Sequence, residues 1–304
     1  MMKQAFSFIK HAINKKEIDD RLSAIHCVGD KVQSYNGWIT MEHPLKGMGT
    51  FSVAQAGLFR AVEACSWEPD IKVTEKNVIL KNGRVRLQLP ITSDFIAQKP
   101  QRKNIQNCPE DLLDQLARVR PFISEDASRG WSTSVHIKNG YIHATNNMTI
   151  VRSPSTIAEC TIPVEVVDVL LKLKVPPVKY SMGMRTVYFE WGNGSWMQGN
   201  LIIEKWPDFK ELFDKRAKVK RIPPNLLEAV QKLKYFCPDD ILYIRDKVAF
   251  TDTCKISGIK LPDTTISCRN IEMALQCFDK GNFKKPLIHL TGDGIEGVMA
   301  SISA

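Results

Sequence analysis

Apolar residues along this chain of 304 residues alternate between two spacings, and the alternation recurs from one end to the other. Stretches with apolar positions three and four apart, the spacing of one helix face, give way to short runs in which every second residue is apolar, the spacing of a half-buried strand. Helices are predicted to begin near Met2, Ala54, Pro109, Val164, Pro223 and Arg269. The first carries Phe6, Ile9 and Ile13, and the second Leu58, Ala61, Val62 and Cys65. The third carries Leu112, Leu113, Leu116 and Val119 behind Pro109-Glu110-Asp111, where a proline and acids suit a first turn. Val166, Val167, Leu170 and Leu171 mark the fourth, and Leu226, Leu227, Val230 and Leu233 the fifth. Ile271, Ala274, Leu275 and Phe278 mark the sixth. A period of roughly 50 residues lies in the range where internal repeats decide an architecture.

Between helices the punctuation is that of hairpins. Asn36-Gly37, Asn82-Gly83 and Asn139-Gly140 each sit between alternating runs, and Asn-Gly suits the positive backbone angles of a tight hairpin turn. Gly192-Asn193-Gly194 and Gly292-Asp293-Gly294 resemble them. Val85–Pro90 and Ile256–Pro262 both read as strands closed by Leu-Pro.

One helix with a few strands cannot bury a core alone, whereas two such modules can, with both helices packed on an antiparallel sheet. Pairing neighbours predicts an α+β chain of three tandem domains, 1–107, 108–214 and 215–304. The polar, basic runs Gln98–Lys103 and Lys215–Arg221 fall where connectors are needed.

Charge changes the picture further. The formal net charge is +9. The outer segments are basic, with 16 Lys and Arg against 10 Asp and Glu in 1–107 and 15 against 10 in 215–304, while 108–214 has 11 against 13. That balance fits a polyanion held by sequence-independent charge, and it equally fits a generic soluble surface. No apolar stretch approaches the roughly 20 residues of a membrane span, and the start lacks the core of a signal peptide, so a cytoplasmic protein with no membrane contact is expected. The eight cysteines form no CxxC pair and read as reduced, mostly buried residues.

Catalytic chemistry finds no foothold. The six histidines show no metal-ligand spacing, and His136 and His143 read as an exposed pair across the Asn139-Gly140 hairpin. No GxSxG elbow, phosphate loop or dinucleotide fingerprint is present. The acidic pairs Asp19-Asp20, Glu125-Asp126 and Asp239-Asp240 read as turns or caps. The expectation is a protein that is not an enzyme and has no cofactor or metal.

The middle third adds a specific signal. Ser124-Glu125-Asp126-Ala127-Ser128-Arg129, then Val135, then Gly140-Tyr141-Ile142-His143-Ala144-Thr145-Asn146 resembles the central domain of the bacterial sliding clamp, the β subunit of DNA polymerase III. Leu201–Phe209, ending in Trp206-Pro207-Asp208-Phe209, is similar to that family's aromatic-Pro-Asp-aromatic segment. In the outer thirds the similarity is chiefly the repeat itself. The resemblance implies three DNA-clamp domains per chain forming half of a ring. A head-to-tail homodimer would close it around double-stranded DNA, with twelve helices lining the hole. It implies a processivity factor in DNA replication, with a DNA polymerase and a clamp loader as partners. The other reading left open is a monomeric nucleic-acid or protein binding module that encircles nothing.

Under the clamp reading the pore-facing cations are expected among Lys3, Lys10, Lys15, Lys16, Arg60, Arg118, Arg120, Lys172, Lys232 and Lys234. The family's partner-peptide pocket, carried over by motif, would use Thr145, Ile150, Pro207 and Leu212, completed by Val298 and Met299. This chain departs from the family in three respects. It is shorter, it has Asn146-Asn147-Met148 after Ala-Thr in place of Asp-Gly-His, and it lacks a Met-Pro ending. The first departure suggests a compact viral version, in host cytoplasm or nucleoid. The other two suggest an altered pocket.

Overall fold

The six predicted stripes all become helices. In the computed structural model, which describes residues 2–13, 22–92, 99–214 and 217–302, the helices are α1 (Met2–Ile9), α2 (Gln55–Ala64), α3 (Leu112–Val119), α4 (Val164–Leu173), α5 (Lys210–Asp214), α6 (Asn225–Leu233) and α7 (Cys268–Leu275). Only the short α5 was not anticipated. Each helix except α5 is followed by a three-stranded antiparallel meander, so six helix-plus-meander modules stand among the described residues. The buried faces are the predicted ones: Ala5, Phe6 and Ile9 in α1, Leu112, Leu116 and Val119 in α3, and Leu226, Val230 and Leu233 in α6.

By its contacts the chain divides into two compact units, Met1–Glu110 with Asp168–Leu201 and Asp111–Val167 with Ile202–Ala304. In the first unit an eight-stranded sheet runs in the order Phe51–Ala54, Ala24–Cys27, Lys31–Tyr35, Ile39–Pro44, Trp196–Asn200, Thr186–Glu190, Lys179–Met182 and Gln106–Asn107. A separate three-stranded sheet holds Asp70–Val73, Asn77–Asn82 and Val85–Pro90. The join in the large sheet pairs Trp196 with Glu42 and Met197 with Met41. Glu42 is a buried carboxylate there, and it is fully engaged. It accepts from Trp196 Nε1 at 2.9 Å and Gln33 Nε2 at 2.8 Å, and Lys31 Nζ lies 2.8 Å away. A buried charge needs such a set of partners to be tolerated.

The second unit repeats this plan. Its eight-stranded sheet runs Cys160–Pro163, Ser134–Lys138, Tyr141–Thr145, Thr149–Pro154, Ile295–Ala300, Leu287–Gly292, Lys280–Asn282 and Lys220–Arg221. A four-stranded sheet holds Lys255–Ser257, Val248–Phe250, Ile241–Arg245 and Thr264–Ser267. Behind the large sheet, Phe122 after α3 meets Phe278 after α7 with ring centroids 5.9 Å apart. In both large sheets the join follows one rule: the third strand of one meander pairs antiparallel with the third strand of another, Ile39–Pro44 with Trp196–Asn200 and Thr149–Pro154 with Ile295–Ala300.

The turns bear out their sequence. Asn139 and Gly140 take φ of +51° and +78°, the paired positive angles of a type I′ turn. At Asn82-Gly83 the loop residues are Gly83 and Arg84, since Asn82 is still paired with Val85. The strand expected over Ile256–Pro262 is limited to Lys255–Ser257, because Gly258 at φ +88° turns the backbone out of the extended region.

Candidate peptide pocket and nucleic-acid interface

Ile150 and Val298 lie directly opposite each other across the join in the second unit's large sheet. Strand alternation sends both to one face. They pack with the buried indole of Trp206, and Trp131, Phe209, Leu212, Phe213 and Leu287 surround them. Of these, Ile150, Val298, Trp131, Phe209, Leu212 and Leu287 border a cavity of about 320 Å³, lined also by Thr145, Pro207, Arg129, Asn147, Met148 and Ala300. Five of the six residues expected at a peptide pocket are therefore brought together here. The sixth, Met299, is fully buried and does not line the cavity. It follows Val298 on a strand, so its side chain takes the opposite face, and Ala300 holds the next position toward the cavity.

The wall opposite the sheet is made by the segment before and through α5. Trp206 anchors it, with its ring centroid 5.5 Å from that of Trp131 and 6.1 Å from that of Phe209, and with Nε1 donating to Ser134 Oγ at 3.2 Å. Asp208 Oδ1 accepts from the Lys210 amide at 2.9 Å, a turn that leads into α5 and presents Leu212. Phe213, one residue on, stacks over the Arg152 guanidinium at 4.3 Å, and Arg152 also lies over Tyr141 at 4.4 Å and donates to Glu296.

The Asn146-Asn147-Met148 departure builds a tight turn. Asn146 Oδ1 accepts from the amides of Met148 and Thr149 at 3.2 and 2.8 Å, and Thr145 Oγ1 donates to the Thr149 carbonyl. Asn147 takes φ +70°, which asparagine tolerates better than most residues. Arg129 donates to Asn147 Oδ1 at 3.4 Å, placing one cation at the rim. Sequence reasoning missed Arg129, Trp131 and Phe209 as lining residues. Phe209 closes the quoted Trp-Pro-Asp-Phe motif and could have been found from it. Trp131 carries no local signal, because its role arises through contact with the distant Trp206 and Phe209.

His136 and His143 do face each other across the hairpin, but they are not exposed. His136 stacks on Trp206 at 5.2 Å with the rings 13° apart, and Phe213 stands edge-on to His143 at 6.3 Å. Burial pushes both imidazoles below their ordinary pKa; for His143 the hydrogen bond to the His136 carbonyl offsets part of this, the His136 and Arg152 charges add to it, and the result is about 4. The unfolded chain, with an ordinary imidazole, therefore binds this proton more readily. Stability is expected to be complete above about pH 6.5 and to fall as the pH drops toward 4, by up to roughly 3 kcal/mol for His143. Urea unfolding at stepped pH checks this, and His143→Gln should flatten the decline.

The expected cations are spread over both units. Lys3 and Lys10 stand exposed on and just after α1, Arg60 on α2 and Lys172 on α4, all in the first unit. Lys10 and Lys172 line a common cleft. Arg118 and Arg120 in the second unit are half-buried, with the Arg118 guanidinium packed beside Gly294. Lys232 and Lys234 are exposed but occupied, donating to Glu228 at 2.6 Å and Glu272 at 2.7 Å. Lys15 and Lys16 lie outside the described residues. Asp240 caps the start of α7, accepting from Ser267 Oγ and the Arg269 amide, as a cap reading of the acidic pairs requires. None of the eight cysteines forms a disulfide. Among the described residues no helix is long and apolar enough to cross a membrane.

No protein-family model matches this chain, and no curated protein sequence does. Solved structures match it nearly end to end. The DNA polymerase III beta chain of Streptococcus pneumoniae is similar with a TM-score of 0.83 at 14% identity, over 99% of this chain and 97% of its own. The C. crescentus beta sliding clamp gives 0.82 at 14% identity over 99% and 96%. The Helicobacter pylori beta clamp bound to a DNA ligase peptide gives 0.77 at 13% identity over 98% and 96%. The fold is thus that of the bacterial beta sliding clamps, a mixed helix and sheet architecture with large antiparallel sheets.

Proposed function

We propose that this protein is a DNA polymerase processivity factor: a homodimeric ring that encircles duplex DNA, tethers a polymerase through the pocket beside Ile150 and Val298, and is placed on DNA by a clamp loader. The consecutive segments 1–107, 108–214 and 215–304 serve as its three clamp domains, each supplying two modules. The observation that carries this reading is the rule governing the sheet joins. Four of the six meanders are joined in pairs through their third strands. Two remain open, and their third strands are Val85–Pro90 in the first unit and Lys255–Ser257 in the second, both sheet edges among the described residues. A second copy supplies the complementary edge to each, and an unpaired edge is a ready template for such pairing. Because the two edges differ, the association is head to tail, and a closed dimer satisfies both.

Function then follows from topology without chemistry at a reactive group. A ring holds DNA because it cannot slip off sideways, so its contacts with phosphate need only be diffuse. Exposed cations such as Lys3, Lys10, Arg60 and Lys172 suit that task, since charge contacts to the backbone carry no sequence information. The pocket is apolar and aromatic with Arg129 at its rim, which fits a short apolar-aromatic peptide from a replication enzyme. The ligase peptide on the H. pylori clamp is a precedent for such an occupant.

The test uses the full chain assembled from dilute solution in the presence of nicked circular plasmid. Protein should co-elute with the circle through a high-salt gel-filtration column and leave once a single cut linearises it. Retention that ignores linearisation, or none on the circle, overturns the ring.

A further inference from the structure

The two units carry the same join but finish it differently on the helix side. In the second, the 3-10 turn after α3 ends in Phe122, which meets Phe278. In the first, the 3-10 turn after α1 ends in Ala12. The buried positions of the two helices align throughout: Ala5, Phe6, Ile9, Ala12 and Ile13 against Gln115, Leu116, Val119, Phe122 and Ile123. The first unit has a cleft of about 330 Å³ between the ends of α1 and α4.

What lines the cleft defines its occupant. Lys10 and Lys172 face it with His11, and no carboxylate lines it. Gln4, Ser7 and Asn193 add neutral hydrogen-bonding groups. The floor is rigid, with Phe8 and Trp191 edge to face at 4.9 Å and the Trp191 indole N–H held by the Val175 carbonyl at 2.9 Å. Two ammonium groups with several neutral donors, over a fixed apolar base, match the oxygens of a phosphoryl group.

We propose that this cleft is a discrete phosphate-binding site, taking one or two phosphoryl groups of a nucleic-acid strand or of a free polyphosphate. A phosphate here relieves the repulsion among four cationic or protonatable groups, Lys10, Lys172, His11 and His43. His11 already registers that repulsion, since burial first and then Lys10 and Lys172 hold its pKa below the ordinary value. The site depends on the ring reading only for the strand as a source, so its test avoids encircling.

Inorganic pyrophosphate is titrated into the full chain while the His11 ring protons are followed by NMR, assigned with His11→Gln. The expected result is a saturable shift that Lys172→Ala weakens about tenfold, the loss of one charge-assisted contact, while Lys138→Ala leaves it unchanged. A shift no larger than that from sodium chloride at equal ionic strength, or equal responses in the Lys172 and Lys138 variants, overturns the proposal. A short oligothymidylate distinguishes the sources: competition with pyrophosphate assigns a strand, and absence of competition beside a saturable pyrophosphate shift assigns a free polyphosphate. If the ring fails on circular DNA, the pyrophosphate result still stands or falls alone.

Discussion

Replacing Tyr235 and Phe236 together with aspartate is expected to convert the proposed dimer into a monomer without unfolding the chain. Both lie in the 3-10 turn Lys234–Phe236 after α6, and they are 80% and 49% exposed. The α6 stripe Leu226, Ala229, Val230 and Leu233 aligns with Leu112, Gln115, Leu116 and Val119 of α3, which places Phe236 where the other turn has Phe122. Phe122 is fully buried against Phe278 within its unit, whereas Phe236 has no such cover. The module that carries it is the one whose third strand, Lys255–Ser257, ends at an open edge. Aromatic residues at the centre of an interface cost about 2 kcal/mol or more each when truncated. Two together, with buried charge added, should weaken association at least a hundredfold. Sedimentation equilibrium of native chain and variant checks this. A variant that still sediments as a dimer at micromolar concentration, or a native chain that never does, sinks the proposed closure.

Two neighbouring substitutions should behave oppositely at the pocket. Leu212→Ala removes a half-exposed wall residue and is expected to weaken a short apolar-aromatic peptide by roughly tenfold or more, with little change in melting temperature. Met299→Ala cuts a fully buried side chain on the other face of the sheet. It should cost about 2–5 kcal/mol of stability while leaving peptide affinity nearly intact below the melting temperature. Fluorescence anisotropy of a labelled peptide, paired with calorimetry of each variant, separates the two outcomes. Equal losses of affinity would mean that the cavity is packing space and not a binding site.

Much of the fold was legible because its signals are local. Helical stripes such as Leu112, Leu116 and Val119 and turns such as Asn139-Gly140 are written within a few residues, and a repeat multiplies them. The pocket was half legible. Thr145, Ile150, Pro207 and Leu212 sit in or beside motifs, and Val298 was found through the final strand. Met299 was misplaced because a strand assigns faces by single-residue register, so a slip of one moves a residue from cavity to core. Trp131 escaped notice because its aromatic partners, Trp206 and Phe209, lie far along the chain. The half-buried state of His136 and His143 was hidden for the same reason: the residues that cover them, Trp206 and Phe213, are about seventy positions away. The open edges could not be seen at all before the pairing rule was visible in the closed ones.

The seams Ile39–Pro44 with Trp196–Asn200 and Thr149–Pro154 with Ile295–Ala300 are stitched by main-chain amides and carbonyls, which every residue but proline carries alike. Such a seam is blind to most of the alphabet it is written in. Side chains on either side of it can differ widely while the stitching holds, so likeness of form in this architecture outlasts likeness of letters.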